Sequence, residues 1–136
     1  MEFTWLSRWQ PQLLAILRIV AALLFIEHGT AKLFAFPVAQ PGAPDPLPTM
    51  LVVAAVIELI AGTLVTLGLF TRLAAFIAAG EMAAAYFIGH FPRGFWPVVN
   101  MGEASILFTF VFLYIASAGP GAWSIDGARM RNMPIR

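Results

Sequence analysis

Four apolar runs dominate the chain, and polar residues gather almost entirely in the links between them. The runs cover roughly residues 11–34, 49–70, 72–90 and 100–118. Each approaches the ~20 residues that a helix needs to cross a bilayer. The first link, "AFPVAQPGAPDPLP", holds five prolines and one Asp. Proline fixes φ and lacks an N–H, so this link reads as an extended segment facing water. The second link, "LFTR", is very short, and Thr71 stands where a helix cap is expected. The third, "FPRGFWPVVN", combines Pro, Gly and aromatics, which suits a tight interfacial turn with Phe91, Phe95 and Trp96 in an aromatic belt. The last run ends at Gly119-Pro120, and a tail with three arginines follows. The pattern predicts an all-α membrane protein: one transmembrane domain over 1–136, a four-helix bundle with a tail over 119–136.

Composition supports this class. Of 136 residues, 60% are hydrophobic and only 11% charged, and the mean hydropathy is +0.84. Soluble domains carry about 25% charged residues, so this chain has too few to cover a water-exposed surface. A formal net charge of +1 gives no argument for nucleic acid. The absence of cysteine removes disulfide chemistry, thiolate zinc and Fe–S ligation. The first run has a basic flank at Arg8, as a signal peptide would, but "HGTAKLF" follows in place of a small-residue cleavage site. It reads as a retained helix. Arg8, Arg72, Arg129, Arg131 and Arg136 fall on one side of the implied topology, Lys32 and Arg93 on the other. The bias places both termini in the cytoplasm.

The charges inside the runs are the informative residues. They are Arg18, Glu27, His28 and Lys32 on the first, Glu58 on the second, Glu81 and His90 on the third, and Glu103 on the fourth. A charge at a helix centre costs ~2.5–3.5 kcal/mol, so these groups should face the bundle interior, pair or line a wet cavity. At a rise of 1.5 Å per residue, Arg18 lies roughly 10 Å and Glu81 roughly 13 Å from the same end. An Arg18–Glu81 structural ion pair is therefore expected. Glu58 falls near mid-membrane, with His28, Lys32, His90, Asn100 and Glu103 farther out. At about 100° per residue, Arg18, Phe25, His28, Gly29 and Lys32 share one sector of the first helix, with Glu27 nearly opposite. Ala54, Glu58, Gly62 and Thr66 form a stripe at spacing four, as do Ala74, Ala78, Glu81 and Ala85 in part. Small residues permit close helix approach in lipid, within the chain or against a second copy. Glu103, Phe110, Tyr114 and Ser117 share a side of the last helix.

Bland roles compete with functional ones. Asn100 and Glu103 have capping-box spacing, and Lys32 can snorkel to the interface. His28 and His90 sit at similar depths on two helices, the minimum for bis-His haem, but lone interfacial histidines more often hydrogen-bond. No metal site is assigned. Phe25-Ile26-Glu27-His28 is echoed by Phe87-Ile88-Gly89-His90, which hints at a duplicated helical hairpin.

The pattern Arg18…Phe25-x-x-His28-Gly29-x-x-Lys32-Leu33-Phe34-x-Phe36-Pro37, Glu58, and the closing "HFPRGFWPVVNMGEASILFTFVFLYIASAGPGAWSID" resemble the DoxX family of small four-helix membrane proteins. The resemblance covers nearly the whole chain. It implies a bacterial inner-membrane protein, with relatives that include a subunit of a thiosulfate:quinone oxidoreductase and proteins tied to quinone or oxidative-stress resistance. On that resemblance the ligand is a quinone. His28 and Lys32 would hydrogen-bond it, Glu58 would exchange the proton, and Phe25, Phe34, Phe36 and Phe87 would wall the pocket. Phe25, His28, Lys32, Glu58, His90, Asn100 and Glu103 form the candidate ligand set, with His28, Lys32 and Glu58 the candidate catalytic residues. The chain carries no flavin or nucleotide motif, so redox activity requires a partner subunit. The same intramembrane groups also suit a proton-coupled transporter of a small solute. A non-catalytic assembly or anchoring partner, in which the charges only specify packing, is the third reading.

Overall fold

A computed structural model describes residues 4–132. Its helices are α1 (Thr4–Ser7), α2 (Gln10–Phe34), α3 (Thr49–Leu67), α4 (Thr71–Ala85), α5 (Pro97–Asn100), α6 (Glu103–Ala118) and α7 (Ile125–Arg131). No strand occurs among the described residues. Three stretches, Gln10–Phe34, Thr49–Leu67 and Thr71–Arg93, are long and apolar enough to cross a membrane, and Glu103–Ala118 is a shorter apolar helix.

The helix ends follow local chemistry. Pro11 opens α2, where a missing N–H costs nothing. Gly68 adopts φ 66° and stops α3, and Leu69 N–H closes onto Leu64 O at 2.9 Å. α3 thus ends at Leu67, three residues short of the expected end. Thr71 does not cap α4. Asp126 of α7 reaches across instead and accepts from Phe70 N–H (3.1 Å), Thr71 N–H (2.8 Å) and Thr71 Oγ1 (2.8 Å). A carboxylate suits this position because the N–H groups there lack helical partners. Burial disfavours the charged form of Asp126. The Thr71 and Phe70 hydrogen bonds and the nearby Arg129 charge outweigh it and hold the carboxyl below its ordinary range.

α4 does not stop at Ala85 but continues through a π-helical turn, Tyr86–His90, and a 3₁₀ turn, Phe91–Arg93. The expected fourth helix begins at Glu103 rather than Asn100. Asn100 belongs to the single turn α5, and Met101 takes a left-handed conformation between the two. The tail contains a helix that the sequence pattern did not predict. Ser124 Oγ accepts from Gly127 N–H at 3.0 Å to start α7, and Arg129 and Arg131 occupy its last turn.

α2 packs along α3, and α4 along α6. α3 against α4 joins the two hairpins, while α2 and α6 meet over a smaller area. Among the described residues, nine of the fourteen buried apolar side chains are alanine. Phe25, Val65, Met82, Phe112 and Ile115 fill the remaining core, while Leu, Ile, Val and Phe residues cover the outside. Small residues inside and large apolar residues outside are what lipid selects. Gly62 shows how close the helices come. A Cβ there would lie 2.6 Å from Ile26 Cγ1 of α2.

Candidate functional site

The two halves of the bundle handle charge differently. Near the second link and the tail, cations engage backbone oxygens. Arg18 is fully buried, and its guanidinium donates to five carbonyls. Nη1 reaches Val65 O and Thr66 O, both at 2.6 Å. Nε reaches Pro120 O at 2.8 Å, and Nη2 reaches Trp123 O at 2.9 Å and Ala122 O at 3.3 Å. The expected Arg18–Glu81 ion pair is therefore not made. The unpaired carbonyls at the α3 C-terminus and the 120–123 turn match the guanidinium fork. Glu81 instead sits within the fields of Glu58 and Lys32. Arg72 caps the other hairpin, donating from Nη1 to Ala116 O at 2.9 Å and to Ser117 O.

Farther along, side chains engage one another. Lys32 Nζ donates to Glu58 Oε1 at 2.6 Å and to Oε2 at 2.8 Å. The side chains are 8% and 1% exposed, and this is the only salt bridge among the described residues. Gly29 makes the contact feasible. A Cβ there would stand 3.0 Å from Ala55 O and 3.2 Å from Glu58 Cβ, so α2 and α3 approach closely one turn before Lys32. Lys32 thus reaches inward rather than snorkelling outward. Glu81 completes the group from α4. Its Oε2 is buried and has no hydrogen-bond partner among the described residues. Two carboxylates and one ammonium thus share a membrane-buried neighbourhood built by three helices.

His28 lies one turn before Lys32 but on the exposed side of α2. Its Nδ1–H donates to Leu24 O at 2.8 Å, which leaves Nε2 as the acceptor in the neutral imidazole. The ring meets Phe108 of α6 edge-on, with centroids 5.7 Å apart. Phe108 stacks on Phe112, and Phe25 packs against both, at 4.9 Å from Phe112. His28 therefore marks the outer edge of the α2–α6 seam and lies within electrostatic reach of Glu58.

The remaining candidates do not converge on this group. Phe34, Phe36 and Phe87 are exposed, so with buried Phe25 they do not wall a common pocket. His90 Nδ1–H donates to Asn100 O at 3.0 Å. Asn100, fully buried, donates to Gly94 O (2.8 Å) and Tyr86 Oη (3.3 Å), and its Oδ1 accepts from Gly102 N–H (2.8 Å). Asn100 and His90 thus tie the third link together. Their engagement replaces the expected capping box, because Asn100 precedes the helix by a full turn and Glu103 is its exposed first residue. Phe110, Tyr114 and Ser117 share that exposed side of α6. The echo between 25–28 and 87–90 has no structural counterpart, since one copy is regular α-helix and the other a π turn. Glu27 is exposed and takes no part in the buried group. Among the described residues, no three His, Asp or Glu side chains are grouped to hold a metal ion.

The family model for DoxX matches residues 13–91, the segment that carries Arg18, His28, Lys32, Glu58 and Glu81. The chain belongs to the DoxX family. An uncharacterized protein of Haemophilus influenzae is 47% identical over 128 residues, covering 89% of this chain and 93% of the relative. The inner membrane protein YphA of Escherichia coli is 32% identical over 130 residues, covering 86% and 90% of the two chains. An uncharacterized membrane protein of Mycobacterium tuberculosis is 28% identical over 133 residues, covering 85% and 80%. No solved structure matches the chain significantly. The DoxX segment contains every member of the buried Lys32–Glu58–Glu81 group.

Proposed function

We propose that this DoxX-family protein is a bacterial inner-membrane subunit of an oxidoreductase, and that it exchanges protons with a quinone or quinol at the Lys32–Glu58–Glu81 group. The observation that carries the reading is the charge count of that group. One ammonium grips both oxygens of Glu58, while Glu81 keeps a buried oxygen without a partner among the described residues. With both carboxylates ionised the group carries one net negative charge, and one added proton makes it neutral. Hydrocarbon surroundings favour the neutral assembly, so the group holds one transferable proton. Glu81 replaces Glu58 as its first carrier, because Lys32 already holds Glu58.

His28 is exposed at the edge of the aromatic seam, with the partly buried Phe108 beside it, so a ring arriving from the bilayer would meet these two first. His28 Nε2 accepts from a quinol hydroxyl, whereas a quinone carbonyl would take a hydrogen bond only after His28 gains a proton. A quinol releases two electrons and two protons as it becomes a quinone. His28 takes one proton and the acidic group the other, and the two electrons pass to a redox cofactor held by a partner subunit. The reverse reaction runs through the same groups. Lysine and arginine placement supports cytoplasmic termini, and likeness to the inner membrane protein YphA supports the inner membrane.

The test is thermal stability of the purified protein with a short-chain quinone or quinol. A quinone- or quinol-dependent rise is expected, reduced in His28→Ala and Glu81→Gln. No shift with either ligand form would overturn the reading.

A further inference from the structure

The Arg18 end of the bundle carries a second feature that the proton-exchanging group does not use. Phe70, Arg72, Leu73, Asp126, Arg129 and Met130 are among the residues that line an open groove of about 410 Å³. It lies between the start of α4 and α7. One flank is apolar, with Phe70, Leu73 and Met130 exposed, and the exposed Leu73, Phe76 and Ile77 of α4 continue that surface along the helix. The other flank is cationic. Arg129 lies over the Phe70 ring at 6.0 Å and donates no hydrogen bond among the described residues. Arg72 engages α6 carbonyls chiefly through Nη1, and its Nε has no acceptor among the described residues. Asp126 also lines the groove, but its two oxygens accept from Phe70 and Thr71. The helix N-terminus is thus already capped, and although Arg129 also acts on Asp126, Arg72 and Arg129 outnumber that one acid and leave the groove net positive for an outside anion. Charge across this end is one-sided, with Arg8, Arg72, Arg129 and Arg131 set against the single acid Asp126 among the described residues.

We infer that this groove seats the headgroup of an anionic phospholipid, with the phosphate between Arg72 and Arg129 and an acyl chain along Leu73, Phe76 and Ile77. Charge complementarity selects the headgroup, because anionic lipids gather basic side chains at the membrane surface. The adjoining apolar helix face selects a lipid over a soluble phosphate. This site does not depend on the quinone reading, since no residue is shared between them.

Native mass spectrometry of the full chain in mild detergent, titrated with phosphatidylglycerol or phosphatidylcholine of identical acyl chains, tests it. Phosphatidylglycerol is expected to bind at least about fivefold more tightly, and Arg129→Gln to remove about that factor, as one cationic contact is lost. The preference should weaken with added salt in the unaltered protein, and Arg93→Gln, outside the groove, should retain it. Equal affinity for the two lipids would overturn the proposal. So would a preference that survives Arg129→Gln or is insensitive to salt. Glycerol phosphate competing as well as the whole lipid would replace it with a soluble-anion site.

Discussion

Removing Lys32 should harm the protein more than removing the charge of Glu58, although the two form one ion pair. Both side chains are more than nine-tenths buried, with both carboxylate oxygens within 2.8 Å of Nζ. Deleting one member of such a pair leaves the other as an uncompensated buried charge, at a cost of about 3–5 kcal/mol. The third group breaks the symmetry. Lys32→Met leaves Glu58 and Glu81 within each other's fields without a cation, whereas Glu58→Gln leaves Lys32 with the opposite charge of Glu81 still nearby. Lys32→Met should therefore fall near the upper end of that range, about 5 kcal/mol, and Glu58→Gln near or below about 3 kcal/mol. The double variant Lys32→Met/Glu58→Gln should cost less than the sum, with a coupling of about 1–3 kcal/mol. Adding Glu81→Gln to Lys32→Met should restore part of the loss. Reversible unfolding in mixed micelles, followed by helical signal, gives all four values. A Lys32→Met cost equal to or below that of Glu58→Gln would refute the three-group argument. Strict additivity would refute the pair itself.

Three further outcomes follow from other contacts. Asp126→Ala should cost about 1 kcal/mol, the scale of a lost N-cap, and loosen α7, read as faster proteolysis in the tail. The folded Asp126 carboxyl lies below its ordinary value, so its stabilisation is complete above the unfolded value near 3.8 and fades as pH falls through the folded one. Tail protection should hold from neutrality to about pH 4 and decline only in stronger acid, and that acid limb should be absent in Asp126→Ala. Gly62→Ala should cost about 1–3 kcal/mol by overpacking, because its Cβ would meet Ile26 Cγ1 at 2.6 Å. Ile26→Ala in the same chain should recover stability, and failure of that rescue would argue against the contact. Arg18→Lys should expose the 120–123 turn to protease nearly as fully as Arg18→Met, since one ammonium cannot serve five carbonyls. Protection retained in Arg18→Lys would sink that account.

Helices were legible because their signal is repeated along many residues, whereas partners were not, because each depends on one side chain's reach. Apolar length placed α2, α3, α4 and α6, with errors only at ends decided by single residues such as Gly68 and Met101. The α7 helix was missed, although Ser124 followed by Asp126, with Arg129 and Arg131 beyond, is a readable cap-and-dipole pattern in "SIDGARMR". Depth along the helix axis placed Arg18 beside Glu81, but depth says nothing of which acceptors lie nearer. Backbone carbonyls are invisible to a search for opposite charges, and five of them surround Arg18. The shared helix face of His28 and Lys32 suggests two ligands of one quinone. The long stem of Lys32 turns inward to α3, while Nδ1 of His28 is held by Leu24.

These contrasts bear on which buried charges can work. A side chain whose donors all meet backbone oxygens has one stable arrangement, and moving it would break helix ends. Arg18 belongs to that kind, and Asp126 is its acceptor counterpart, with both oxygens taken by Phe70 and Thr71; each links the tail to the helices. A carboxylate paired with one ammonium beside a second carboxylate has several arrangements of similar energy, which differ by where a proton sits. Only the Lys32–Glu58–Glu81 group has that freedom among the described intramembrane charges. This freedom, rather than the mere presence of charge in a membrane, is what suits the group to proton exchange. It also explains why Gly29, which carries no chemistry, matters to it: without the close approach at Ala55 O, Lys32 would not reach Glu58 with both oxygens in range.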